Sequence, residues 1–280
     1  MIVESHCHII SGDQRSYPRD LGPNPAGWVR DLPAEEFLNL MSDAGVDRAV
    51  LVQAFFAYRY DNRYVAESAA RYPDRFVAVC IIDPMQADAP EKLDYCVNQQ
   101  GIRGLRVVTW TEPPTMLDDP RISPLWQRAA ELRIPVCVLT RFHQVPRLRP
   151  VLERFPELRL ALDHLGLPAL GDGPAHRTAE PLFELARFHN FYGKFSSWTI
   201  GSLVRSGKDA CADFFHRLID AFGPKHLMWG SNFPASNELS YRGFVELAQE
   251  HLAFLSAEER RWLFSDTALS LWPMLRSGRG

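Results

Sequence analysis

The feature that most constrains this chain is an eightfold alternation of short β-rich runs with longer stretches of helical periodicity. The runs are IVESHCH (2–8), DRAVLVQ (47–53), RFVAVCII (75–82), IRGLRVV (102–108), PVCVLT (135–140), LRLALDH (158–164), NFYGKF (190–195) and HLMWG (226–230). Between them lie helix candidates such as PAEEFLNLMSDAG (33–45), DNRYVAESAARYP (61–73), SPLWQRAAELR (123–133), VPRLRPVLERFP (145–156) and DACADFFHRLIDAFG (209–223), several closed by glycine or proline. A strand that is followed by a helix before the next strand argues for parallel pairing with helical crossovers. Eight such units in 280 residues fit a closed (β/α)8 TIM barrel, one α/β domain over 1–280, better than an open doubly wound sheet. In a barrel, the long irregular stretches at 9–32, 109–122 and 165–176 become loops on the carboxyl face, where chemistry is built.

Several function classes fall away. No G-x-G-x-x-G follows the first strand and no Walker loop occurs, so dinucleotide and nucleoside triphosphate sites lack support. WGSNF lacks the second glycine and the helix start of a nucleophile elbow. A net charge of −3 with both signs interspersed offers no field for nucleic acid or anionic lipid, which leaves a small-molecule partner. Five scattered cysteines without a C-x-x-C pair argue against a disulfide framework or a structural zinc knuckle. With no apolar run of spanning length and no leader-like start, the expected setting is cytoplasmic. A homo-oligomer stays open.

In VESHCHI, the residues Glu4, His6 and His8 alternate, so on a regular strand all three share one face. Two histidines at i and i+2 can hold one metal ion or grip one carbonyl oxygen; packed histidines near a terminus are the competing reading. A second instance shifts the balance: LRLALDHLG ends another strand on Asp163 and His164, although Asp163 could equally cap a helix start. Arg106, inside an apolar strand, and Arg141, just after one, suit bidentate capture of a carboxylate, against surface salt bridges as the plainer reading. Together they point to an anionic substrate. Lys194 reads best as a structural ion pair, with a substrate contact or Schiff base second. Ser197 follows it. Tyr17, Trp28, Phe55 and Trp110 sit in segments after strands and could wall a site for a ring, or simply pack.

The ordered set VESHCHI, LMSDAGVDRAVLVQ, DNRYVAESAARYPDRFVAVCIIDP, GIRGLRVV, FPELRLALDHLG, YGKFSSW and LMWGSNFP resembles the amidohydrolase-related group that includes pyrone-dicarboxylate hydrolase and the sugar and muconolactone lactonases. The resemblance covers nearly the whole chain. It implies a (β/α)8 barrel with His6, His8 and His164 at the site, and an aspartate after the eighth strand that activates water. Asn232 stands in that position. An amide can orient water or offer a neutral oxygen, but it cannot take a proton as a carboxylate does. Loss of the charge also weakens any divalent metal on His6, His8 and His164, so either no cofactor or one weakly held zinc or manganese is expected.

Three explanations of Asn232 stand at this point: a branch whose base is His164, His8 or Glu4; a branch that cleaves, adds to or isomerises an acidic substrate; or an aspartate replaced by substitution. The leading expectation is a hydrolase that opens a lactone or related cyclic ester of a small carboxylate. His6 and His8, with His164, would polarise the carbonyl directly or through a metal, Arg106 and Arg141 would hold the carboxylate with Trp28, Trp110 and Ser197 nearby, and Asn232 would position water or the leaving oxygen. Its rate should rise with pH through the histidine range. The alternatives are a metal-dependent decarboxylase of an aromatic or enoic acid, and a catalytically disabled barrel that only binds.

Overall fold

A computed structural model describes residues 1–21, 28–111, 114–170, 172–173, 176–207 and 209–276. Eight parallel strands pair in chain order: β1 (Val3–Cys7), β2 (Arg48–Val52), β3 (Phe76–Ile81), β4 (Leu105–Val108), β5 (Val136–Leu139), β6 (Leu160–Leu162), β7 (Phe191–Ser196) and β8 (Leu227–Gly230). The chain is therefore a (β/α)8 barrel, as the alternation predicts. Each strand lies within or close to its predicted run. Parts of the loops predicted at 9–32, 109–122 and 165–176 lie outside the described residues.

Alternation along each strand sorts side chains between two buried layers. Ala49, Leu51, Ala78, Leu105, Val107, Val136 and Leu160 pack outward against the helices. Val50, Val52, Val77, Val79, Cys137, Ala161 and Met228 fill the barrel, as period-two geometry requires. The C-terminal segment supplies the floor of that interior. Ala268, Leu271, Trp272 and Leu275 pack there, and Trp272 Nε1 donates to the Arg103 carbonyl at 3.0 Å.

The stretch 145–156, predicted as one helix, is divided into a 3-10 turn at Phe142–Arg147 and an α-helix at Leu148–Arg154. Pro146 lies inside the first piece, and a residue without an N–H cannot continue an α ladder. Between β8 and β1, closure is made by individual bonds around the site residues. Asn232 N–H donates to the His6 carbonyl and His8 N–H to the Phe233 carbonyl, both at 2.8 Å, and Ser5 Oγ donates to the Trp229 carbonyl at 2.6 Å. These bonds tie the end of β8 to the two histidines of β1.

Candidate active site

Strand parity builds the site in two tiers. The lower tier is a buried charge cluster contributed by β1, β4, β7 and the end of β6. Asp163 Oδ2 accepts from Arg106 Nε at 2.7 Å, while Oδ1 lies 3.2 Å from His6 Nδ1 and 3.4 Å from Lys194 Nζ. Burial alone would raise the Asp163 pKa; Lys194, His6 and Arg106 outweigh it and hold the carboxyl well below the usual range. Asp163 is thus the anion that allows two cations to be buried, not a helix cap. Lys194 is the structural ion pair expected, its Nζ also 3.0 Å from Cys137 Sγ.

The upper tier is His8, His164 and Asn232, which with Arg106 line a cavity of about 330 Å³ at the carboxyl ends of the strands. The His6 ring centroid lies 5.0 Å from that of His8 and 4.7 Å from that of His164. In an extended chain Asp163 and His164 would face opposite ways. Left-handed φ values of 55° at His164 and 56° at Leu165 turn the imidazole in beside its neighbour, a backbone cost of the kind met at functional sites. Asn232, also left-handed at φ 60°, donates from Nδ2 to Ser236 Oγ at 3.1 Å. Gly230 is required by close approach: a Cβ there would stand 2.6 Å from His6 Cβ and 2.8 Å from its backbone nitrogen.

Hydrogen bonds set the tautomers of His8 and His6. His8 Nδ1 is 2.8 Å from the Val52 carbonyl, so it carries the proton and leaves Nε2 as the acceptor. Burial, followed by the charge of Arg106, lowers its pKa to about 3. Burial likewise brings His164 to about 4, with Asp163 opposing and Arg106 and Lys194 assisting. At neutral pH both are uncharged, so the rise of rate expected through the ordinary histidine range moves to lower pH. His6 presents Nδ1–H to Asp163 and receives Arg106 Nη2 at Nε2, 3.4 Å away.

That arrangement does not fit a resident divalent ion. The lone pair of His6 meets a guanidinium, Asn232 brings no charge, and the only carboxylate of the cluster is shared by Arg106 and Lys194. Among the described residues no group of three His, Cys, Asp or Glu is spaced to hold a metal.

Several expected contacts are redistributed. Glu4 does not share the histidines' face, because the register shifts between Glu4 and Cys7 and such a bulge breaks alternation. Its buried carboxylate accepts from the N–H groups of His6 and Ser231, both at 2.9 Å, and lies 3.4 Å from the hydroxyl of Tyr241 on the surrounding helix Tyr241–His251. Burial, tempered by these bonds, raises its pKa to about 7.

Arg141 falls outside the cavity lining. It is exposed, just beyond β5, with its guanidinium 5.0 Å from the Trp110 ring centroid. Ser197 is buried in the first turn of the helix Ser197–Ser206, and its neighbour Trp198 lines the cavity instead. Trp28 and Trp110 are lining residues as expected, joined by Phe56 rather than Phe55 or Tyr17. Phe56 was detectable in principle from the FF pair that follows β2, but the turn deciding which ring faces inward was not.

Side chains from several different strands that meet at the carboxyl face define the class: a (β/α)8 barrel enzyme. Residues 3–274 match the Amidohydrolase family, and the chain belongs to it as a hydrolase of the amidohydrolase superfamily. Over 222 residues, 76% of this chain and 74% of the other, it is 27% identical to an L-fucono-1,5-lactonase of Burkholderia ambifaria. It is 25% identical to a D-galactarolactone isomerase of Agrobacterium fabrum, over 92% of this chain and 86% of that one. A crystal structure of a putative 2-pyrone-4,6-dicarboxylic acid hydrolase from Pseudomonas putida superposes with a TM-score of 0.81 at 25% identity, covering 98% and 97% of the two chains.

Proposed function

We propose that the protein opens the ring of a small lactone by hydrolysis, without a bound metal ion. The observation that carries this reading is the pairing of His8 Nδ1 with the Val52 carbonyl at 2.8 Å, which leaves the Nε2 lone pair for the cavity that Asn232 and Arg106 share. Water held between His8 and Asn232 attacks the acyl carbon while the ring carbon–oxygen bond breaks. One water proton passes by way of His8 or His164 to the released ring oxygen. The second is lost to solvent as the new carboxyl group ionises. Arg106, fixed by Asp163, supplies the positive charge that orients a substrate carboxylate or meets the developing oxyanion. The lactonase among the relatives supports ring opening, and the lactone isomerase supports a lactone as substrate.

The test is acid release from a panel of carboxylated lactones, with product mass and elemental analysis of the purified protein. Gain of one water, by protein free of stoichiometric metal and insensitive to chelator, is expected. Loss of carbon dioxide, or activity that appears only with added zinc or manganese, would sink the proposal.

A further inference from the structure

The walls of the cavity narrow the substrate further, and this step rests on the lactone-hydrolase reading. Four rings follow one another along one side. The His8 and Trp28 centroids are 4.9 Å apart, Trp28 and Phe56 5.6 Å, and Phe56 and Trp110 6.1 Å. Trp198 rises after β7, across the barrel from β3, so aromatic surface flanks the cavity on both sides. It remains 39% exposed, and Val29 and Leu239, each next to a lining residue, are 50% and 43% exposed. Part of the Trp198 ring on the lining is therefore open to solvent.

Polar partners on the lining are few: several are partly engaged, and His8 Nε2 and Trp110 Nε1 stay open. Arg106 uses Nε on Asp163 and Nη2 on His6, His8 uses Nδ1 on Val52, and Asn232 uses Nδ2 on Ser236. A polyhydroxylated ring would bury several hydroxyls against indole and phenyl faces, and each unpaired one is costly. Charge sets a second limit. Arg106 is the one cationic side chain among the described lining residues, and the acidic side chain Glu238 stands with it on that lining. A second substrate carboxylate would find no further cation among the described lining residues, with Arg141 behind the Trp110 ring, and an anion close by.

We infer that the lactone opened here is a flat conjugated ring with an aryl or fused-ring body and at most one carboxylate, rather than a sugar lactone or a dicarboxylate. The leaving oxygen is then an enol or phenol with a pKa near that of tyrosine, about 10, which departs without strong protonation. Histidines uncharged at neutral pH can serve such a leaving group, whereas an aliphatic alkoxide needs a stronger acid.

The experiment compares kcat/KM for an aryl-fused lactone, a pyrone monocarboxylate, a pyrone dicarboxylate and a sugar 1,5-lactone. In parallel, quenching of tryptophan fluorescence in the wild-type protein measures binding of an ortho-hydroxyaryl carboxylate and of an aldonate. Expected is a preference of about 100-fold for the conjugated lactones with at most one carboxylate over the sugar lactone. Phe56→Ala should lose more activity on the former than on the latter, and Glu238→Gln should raise kcat/KM for the dicarboxylate more than for the monocarboxylate. A sugar lactone or dicarboxylate turned over best overturns the inference and leaves the hydrolase reading standing. If no lactone is opened, the hydrolase reading fails. In that case tighter binding of the aryl acid still supports the ring class, and equal or tighter binding of the aldonate overturns it.

Discussion

Asp163 Oδ2 accepts a hydrogen bond from Arg106 Nε at 2.7 Å with both side chains buried. The same carboxylate faces Lys194 and His6, so Asp163→Asn leaves two buried cations without an anion. Removing one partner of a buried pair costs about 3–5 kcal/mol. Urea denaturation should register a loss of that order; a loss below about 1 kcal/mol would mean that the cluster is open to water.

Stability should depend on pH through the histidines in a predictable direction. His8 at about 3 and His164 at about 4 lie below the ordinary 6.5, so the unfolded chain binds the extra protons. Their contribution is complete above pH 6.5 and is lost as the pH falls toward 4 and then 3. Glu4, raised from 4.5 to about 7, has the opposite sign: it costs stability as the pH rises through that interval. Thermal melts should therefore show a rise between pH 4 and 6.5 that is steeper in Glu4→Gln. A fall in stability over that range in the variant would contradict the histidine assignment.

The strand-eight amide can be tested by two substitutions. On the proposed reading, Asn232→Ala removes the group that would position water beside His8 and should lower kcat/KM by about 10- to 100-fold, with little change in melting temperature. Asn232→Asp sets an anion beside the imidazole, so the acid limb of the pH–rate profile should move upward. An unmoved limb in the aspartate variant would separate Asn232 from the titrating group.

Gly230→Ala tests the contact between β8 and β1. The new Cβ would meet His6 Cβ at 2.6 Å, and overpacking of this kind costs about 1–3 kcal/mol. Because the strain falls on His6, activity should drop by more than the loss of folded protein explains, as measured by turnover per folded molecule.

The two arginines should behave unlike one another. Arg141 is exposed and stacked on Trp110, so Arg141→Ala should change KM by less than about threefold. Arg106→Lys keeps a charge but loses the fork that reaches both Asp163 and His6, and kcat/KM should fall by about 100-fold. Equal effects in the two variants would refute this division of roles.

What the sequence by itself determined here is what local patterning can carry. Strand–helix alternation specified the barrel, because period-two and 3.6-residue hydrophobic patterns are visible along a single chain. Strand ends then made His6, His8 and His164 legible as one cluster, and the neighbour of Trp229 and Gly230 made Asn232 legible as its unusual member. Tertiary structure decided everything that depends on what stands opposite. A bulge in β1 sent Glu4 toward Tyr241 instead of the cavity, and a left-handed turn brought His164 in beside Asp163. The end of β5 left Arg141 outside while Arg106 reached the centre. Asp163, read from the sequence as a possible cap, became the anion shared by three partners from β1, β4 and β7. Those partners lie 157, 57 and 31 residues away along the chain, and no local pattern encodes a charge balance closed across a barrel.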